Sequence, residues 1–408
     1  MVRIITIGGE FVNKGSEAMI LSTKFLLSKY FEDLDFTVAS YSHKMVDSEY
    51  SGINIIYNGN LKAKILLLGK AMITKLAPFM KNIFKDSLFR KFEETDLIID
   101  ISGYGLTEDF GLKRISLYCT EILLSKLLSK PFIIFPQSMG PFNSKLSKFL
   151  VRVFIPYVDL IIVRGKESKK YLKELGICNK KKVYIYPDIA FLFKASPKRR
   201  AIEILKENNI SVYRNLVGIV PNKRVYERSF VYTRNEYVDI LKKIINLILE
   251  RADTAVVLIP HEFRADGLDD REVIMRIIGE VKSKDRIYAL TEEISSADLK
   301  AIIGCMDLLI ASRFHSIVSG FSMRVPTMVL GWSHKYLELA NMVDQEELVV
   351  DYKDLEINKV ERMVSELWIN KDNIRRVLES KVPELEIEAE KIALLVKSIL
   401  EEHNIHSS

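Results

Sequence analysis

The sequence predicts an α/β protein built as two Rossmann-like domains facing a central cleft. Three observations predict it. Short runs rich in Ile, Val and Phe on both faces alternate with longer amphipathic runs, the pattern of parallel sheets covered by helices on each side. The alternation pauses once, at the polar, basic, proline-containing stretch 193–200, and then resumes. Nearly every apolar run ends in a polar or glycine-rich loop, and in open parallel sheets ligands sit beyond the carboxyl ends of the strands.

In chain order, the first half predicts strands at Val2–Ile7, Phe36–Ala39, Asn54–Tyr57, Leu97–Ile101, Phe132–Phe135, Leu160–Val163 and Val183–Tyr186. Helical patterns lie between most of them, among them Glu17–Tyr30, Arg114–Leu128 and Lys145–Tyr157. The second half predicts strands at Leu216–Val220, Ala255–Ile259, Ile287–Ala289, Leu308–Ala311 and Pro326–Leu330. From Glu356 to His403 the pattern is helical and charged. The expected divisions are residues 1–193, 201–355 and a helical tail at 356–408. A chain of 408 residues suits two cores of roughly 200 residues each.

Composition narrows the class. With 48% hydrophobic and 28% charged residues the chain is globular rather than disordered. A net charge of +6 is too small to indicate nucleic acid but suits an anionic substrate or an anionic membrane face. Cys119, Cys178 and Cys305 stand apart, with no zinc spacing or disulfide framework, as in a reducing, cytoplasmic compartment. The N-terminus enters a strand at once, which predicts no secretory leader. No stretch reaches the roughly 18 apolar residues of a membrane span.

The loops carry the chemistry. Gly8-Gly9 to Asn13-Lys14-Gly15-Ser16-Glu17 joins the first strand to the first helix. It reads either as a cradle for an anion at a helix N-terminus or as a βα turn capped by Ser16. It is not a dinucleotide fingerprint. Ser102-Gly-Tyr-Gly105 and Pro136-Gln137-Ser138-Met-Gly-Pro141 could hold sugar hydroxyls or be plain turns. Arg164 follows the apolar run Leu160–Val163, where a guanidinium suits bidentate binding of a carboxylate or phosphate; pairing with Glu167 is the plainer reading. The sharpest feature is Ser312-Arg313-Phe314-His315-Ser316, where a strand runs into a helix. With only six His in the chain, His315 offers a proton donor beside an Arg313 suited to fixing an anion; a capped helix with a satisfied histidine is the plainer reading. The loop Pro260-His261-Glu262 to Asp269-Asp270 matches no metal spacing, and Asp269 or Asp270 reads as a helix cap.

In this order the motifs resemble the polysaccharide pyruvyl transferase family. The most specific are Ser312-Arg-Phe-His-Ser316, then Val325-Pro326 and Lys335; Pro136–Pro141, Arg164 to Ser168 and Pro187–Phe191 match more loosely. Two places depart from the family pattern. Asn13-Lys14-Gly15-Ser16-Glu17 stands where Asn-x-Gly-Asp-Glu is common, and Gly103-Tyr104-Gly105 stands where three glycines are common.

The resemblance implies a GT-B-like fold and transfer of pyruvate from phosphoenolpyruvate to a sugar of a surface polysaccharide or its lipid-linked precursor. It implies that His315 is the catalytic acid. Arg313, Arg164 and Lys335 would bind the donor, with Ser316, Asn13, Gly15, Gln137 and Ser138 as further substrate contacts. It places the first domain on the acceptor side and the second on the donor side, and it requires neither cofactor nor metal. A nucleotide-sugar glycosyltransferase of the same architecture is the alternative.

The segment 62–85 is apolar and free of acids, with Lys62, Lys64, Lys70, Lys75, Lys81 and Lys85 among Leu, Ile, Met and Phe. Two readings fit: a peripheral contact with the inner face of the membrane, or a core helix whose lysines reach solvent. Pro78 divides it.

Overall fold

A computed structural model of the chain describes residues 1–41, 50, 52–84, 86–210, 214–233, 236–281 and 284–405. Lys85, counted in the basic segment above, lies outside the described residues. The chain forms two compact units. The first comprises Met1–Phe11, Met19–Leu192 and Glu388–Ser408, and the second Val12–Ala18 and Phe193–Ile387.

The first unit holds seven parallel strands: β1 (Val2–Ile7), β2 (Leu34–Ser40), β3 (Asn54–Tyr57), β4 (Leu97–Asp100), β5 (Phe132–Gln137), β6 (Leu160–Val163) and β7 (Val183–Ile185). Their order is β3-β2-β1-β4-β5-β6-β7. Every residue of β4, β5 and β6 is buried, which is why these runs are apolar on both faces up to the polar Asp100 and Gln137 that close β4 and β5. Helices α1 (Lys14–Ser28), α2 (Leu61–Leu76), α3 (Ser87–Glu94), α4 (Leu112–Leu127), α5 (Lys145–Phe154) and α6 (Lys166–Glu174) connect them. One apolar cluster gathers Ile5, Ile7, Leu67, Ala71, Phe89, Ile115, Ile122, Val151 and Leu172, so α2 to α6 share one face of the sheet. That is where right-handed crossovers toward β4, β5, β6 and β7 must put them.

The second unit holds six parallel strands in the order β10-β9-β8-β11-β12-β13. They are β8 (Asn215–Val220), β9 (Thr254–Leu258), β10 (Ile287–Ala289), β11 (Leu308–Ala311), β12 (Thr327–Gly331) and β13 (Val349–Asp351). Its helices are α7 (Lys198–Glu207), α8 (Lys223–Thr233), α9 (Glu236–Leu249), α10 (Asp270–Glu280), α11 (Ser296–Ile303), α12 (Phe314–Ser322) and α13 (His334–Asn341). The charged tail is α14 (Ile357–Glu390, with Pro383 inside it) and α15 (Ile392–Glu402). Strand β13 (Val349–Asp351) is the one strand of this sheet that the sequence does not predict.

Each sheet reverses direction once: between β1 and β4 in the first unit, and between β8 and β11 in the second. At such a point adjacent strands send their following helices to opposite sides, opening a crevice at the carboxyl ends. The loops after β1 and β4 contain Gly8 and Ser102. Those after β8 and β11 contain Asn222 and Arg313. Among the described residues, no helix is long and apolar enough to cross a membrane.

Candidate active site

In the second unit, Ser312 ties the crevice together. Its carbonyl accepts from Asn222 Nδ2 at 2.8 Å and from Tyr336 Oη at 2.9 Å, and its hydroxyl accepts from Tyr237 Oη at 2.7 Å. The next residue, Arg313, stands at the N-terminus of α12 and is buried. Its Nε donates to both oxygens of Asp270 at 3.0 and 2.9 Å, and Nη2 donates to Asp270 Oδ1 and Glu262 Oε2, each at 2.5 Å. Asp270 also accepts from the backbone N–H groups of Lys223 (3.0 Å) and His261 (3.1 Å). Burial works against the Arg313 charge, but Asp270 and Glu262 outweigh it and hold the guanidinium ionised well above its ordinary range. Asp269 caps α10, accepting from Arg271 N at 2.9 Å, while Asp270 serves Arg313.

His315 is the second residue of α12 and is half-buried. It lies against Gly15: a Cβ on that glycine would sit 2.2 Å from His315 Nδ1 and 2.3 Å from Cγ. The glycine is there because nothing larger fits beside the ring. The strip carrying it is fixed by backbone pairing within the second unit. Lys14 N donates to His261 O at 3.1 Å, Phe263 N donates to Val12 O at 3.0 Å, and Asn13 bridges Glu262 in antiparallel fashion. Asn13, not Ser16, caps α1, its Oδ1 accepting from Gly15 N (3.0 Å) and Ser16 N (3.2 Å). Buried Glu17 accepts from Ser296 N (3.1 Å) and Oγ (2.7 Å), and pairs with Lys14 at 2.8 Å. His261 is buried, and desolvation first, then His315 and Arg313, drives its pKa well below the ordinary value. It is therefore a neutral imidazole near neutral pH.

Cations converge beside this motif. The Arg228 guanidinium stands 4.2 Å from the Trp332 ring centroid, and Lys335 Nζ 4.5 Å from the same ring and 5.6 Å from that of Phe314. Arg224 is exposed, and desolvation followed by repulsion from Arg313 lowers its pKa. Ser316 is committed locally, its hydroxyl donating to Arg313 O at 2.7 Å.

The other predicted residues gather in the first unit. Buried Asp100, at the end of β4, accepts at Oδ2 from Tyr118 Oη and Gln137 Nε2, each at 2.5 Å, and from Ser102 Oγ at 3.2 Å. Its Oδ1 accepts from Ser102 N at 3.1 Å. Burial pushes this carboxyl up to about 6 against the pull of those donors. Gly8, at φ +79°, lets the β1 loop press on Ser102, where a Cβ would come within 2.6 Å. Ser138 N donates to Gly103 O at 3.1 Å. Arg164 is buried, donates from Nη1 to Gly103 O at 3.0 Å and pairs with Asp188. The structure thus brings Asn13, Gly15, Arg313, His315, Ser316 and Lys335 together in one unit, and Gln137, Ser138 and Arg164 in the other.

With this geometry established, comparison decides the family. The chain matches polysaccharide pyruvyl transferase over residues 13–334. It belongs to that family. The match spans the strip that seats His315, the Arg313–His315 motif and the start of α13. The chain is accordingly a transferase of polysaccharide biosynthesis. It is 23% identical over 354 residues to the amylovoran biosynthesis protein AmsJ of Erwinia amylovora, covering 83% of each. Its fold is GT-B. It is similar to S. aureus MnaA solved with UDP (TM-score 0.62, 18% identity, 100% of this chain and 98% of that one). It is also similar to Anabaena Alr3699/HepE solved with UDP and glucose (TM-score 0.57, 13% identity, 98% and 100%).

Sequence reasoning missed His261, Glu262, Arg224, Arg228 and the pairing role of Asp270. A basic run, Lys223-Arg224 to Arg228 after β8, was the signal available for the cations.

Proposed function

We propose that this transferase moves pyruvate from phosphoenolpyruvate to a pair of hydroxyls on a sugar of a cell-surface polysaccharide or its lipid-linked precursor. The observation that carries the reading is His315 seated on Gly15 beside an ionised Arg313, with Arg224, Arg228 and Lys335 clustered nearby. The cations take the donor's phosphate and carboxylate. His315 gives a proton to the methylene carbon, and a sugar hydroxyl attacks the adjacent carbon and loses its own proton. Phosphate then leaves with the electrons of its C–O bond, and the second hydroxyl closes a cyclic ketal. Of the two hydroxyl protons released, one balances the proton from His315 and the other leaves with phosphate.

No resident cofactor or metal enters this scheme, since cationic side chains carry the charge neutralisation. Chelators should leave turnover unchanged. Arg164, tied to Gly103 and Asp188, shapes the Ser102–Gly105 loop. A peripheral contact of residues 62–84 with the anionic inner face of the membrane belongs to the same reading, because lipid-linked sugars are held there. The test is phosphate release from phosphoenolpyruvate across sugar acceptors, run beside UDP release from UDP-sugars. Acceptor-dependent phosphate release is expected; UDP release in its place would make the chain a glycosyltransferase.

A further inference from the structure

Helix α2 is turned the unexpected way round. Lys64 is 1% exposed and pairs with buried Glu121 at 3.1 Å, while Asn58 and Tyr41 complete the cluster. Lys64, Leu67 and Ala71, spaced three and four apart, form the inward stripe. Ile65, Met72, Ile73 and Leu76 form an outward one. The turn Pro78–Ile83 continues it with Phe79, so that Leu76 and Phe79 are 80% and 82% exposed. The buried ion pair fixes the helix's rotation, because freeing either partner would strand a charge in the core. The outward apolar stripe is therefore specified by the fold.

Helix α5 repeats the arrangement. Ser147 and Val151 face inward, while Leu146, Phe149 and Val153, again three and four apart, face out, followed by Tyr157. Lys145 and Arg152 are exposed beside them. Residues 61–85 and 143–158 contain no Asp or Glu. Helix α4 packs against both α2 and α5, so the two stripes flank it on one face of the sheet.

We infer that α2 with its following turn and α5 together form one docking face for an anionic lipid bilayer, α5 being a second limb of equal standing. The inference extends the contact proposed above from one segment to a two-helix face. Apolar side chains rimmed by cations, with no acid in either segment, complement an apolar interior under anionic headgroups. The membrane would meet the helical face of this sheet, not its carboxyl-end loops, leaving Ser102 and Gln137 clear of lipid.

The experiment is co-sedimentation of the full chain with phosphatidylglycerol-containing vesicles and with pure phosphatidylcholine vesicles, at low and high salt. Wild type should partition to the anionic vesicles at low salt and be released as salt rises. Leu146→Glu with Phe149→Glu should weaken partitioning on the order of tenfold, and Leu76→Glu with Phe79→Glu should do likewise. Lys145→Ala with Arg152→Ala should weaken it about fivefold per cation. All four apolar positions are at least half exposed, so the variants should keep the wild-type melting temperature, measured in parallel. If the α5 pair sediments as wild type while the Leu76/Phe79 pair does not, the second limb is wrong and the single-segment contact stands. If wild type stays in solution, both fall. If wild type is a dimer in sedimentation velocity and the α5 pair is a monomer, the face covers a second copy of the chain and the lipid assignment is overturned.

Discussion

The two crevices occupy equivalent places in two parallel sheets, yet they are furnished differently. In the first unit the polar groups answer one another: Asp100 is met by four donors, and Arg164 is met by Gly103 and Asp188. In the second, Arg313 is balanced by two carboxylates, but Arg224, Arg228 and Lys335 add cations beside the same motif, and the half-buried His315 lies on the same helix start against Gly15. A closed network shapes a surface. A concentration of like charge beside an imidazole favours an anion, which is what the proposed donor supplies.

The strongest way to break this contrast is His315→Ala. The general-acid role proposed for His315 predicts that turnover falls by about 10²–10⁴-fold with a much smaller change in donor affinity. Phosphate release at saturating donor and acceptor measures it, and near wild-type turnover would remove His315 from the mechanism. Asp270→Asn should come next. It leaves Arg313 short of one of its two carboxylates in a buried site, and stability should fall by about 3–5 kcal/mol in urea denaturation.

Gly15→Ala tests positioning. Its methyl would fall on the imidazole, and a displacement of about 1 Å can cost about 10²-fold in turnover. The phosphoenolpyruvate KM should stay near wild type while the His315 ring resonances shift in NMR. Unshifted resonances would show that the contact does not set the ring. Arg164→Lys should be milder, because a lysine keeps the charge but not the fork to Gly103 and Asp188. A stability loss of about 1–3 kcal/mol with turnover within severalfold of wild type is expected.

The smallest effect concerns pH. The unfolded chain takes up a proton at His261 below its ordinary pKa of 6.5, whereas the folded site, with its pKa held well below that, does not. Native stability should therefore fall as pH drops from 6.5 toward 5. Asp100, raised to about 6, binds its proton more readily when folded and works in the opposite direction over the same window. Comparing melting temperatures of wild type and His261→Gln isolates the histidine: the variant should lose less on acidification.

Much of this was legible in the chain and some was not, for a physical reason. Strands such as Asn54–Tyr57, Leu160–Val163 and Leu308–Ala311 show in a local run of β-branched and apolar residues, and they appear where the sequence places them. The Arg313-x-His315 motif is local too. What it touches is not. Asp270 precedes Arg313 by 43 residues, and the strip 12–18 meets its own partners only through pairings such as Lys14 with His261. No periodicity encodes those meetings. Arg164 looked like an exposed strand-end cation because its counter-ion, Asp188, comes from the loop after a later strand.

The membership of Val12–Ala18 in the second unit has a practical corollary for anyone dividing this chain. A fragment beginning at Phe193 would carry Arg313 and His315 but not the glycine on which the imidazole rests. It should fold with that ring unsupported and should bind, in trans, a synthetic peptide spanning Val12–Ala18. The first helix is thus spliced across a boundary that a linear map would draw far downstream, and the gene cannot be cut into two self-sufficient halves at any single point.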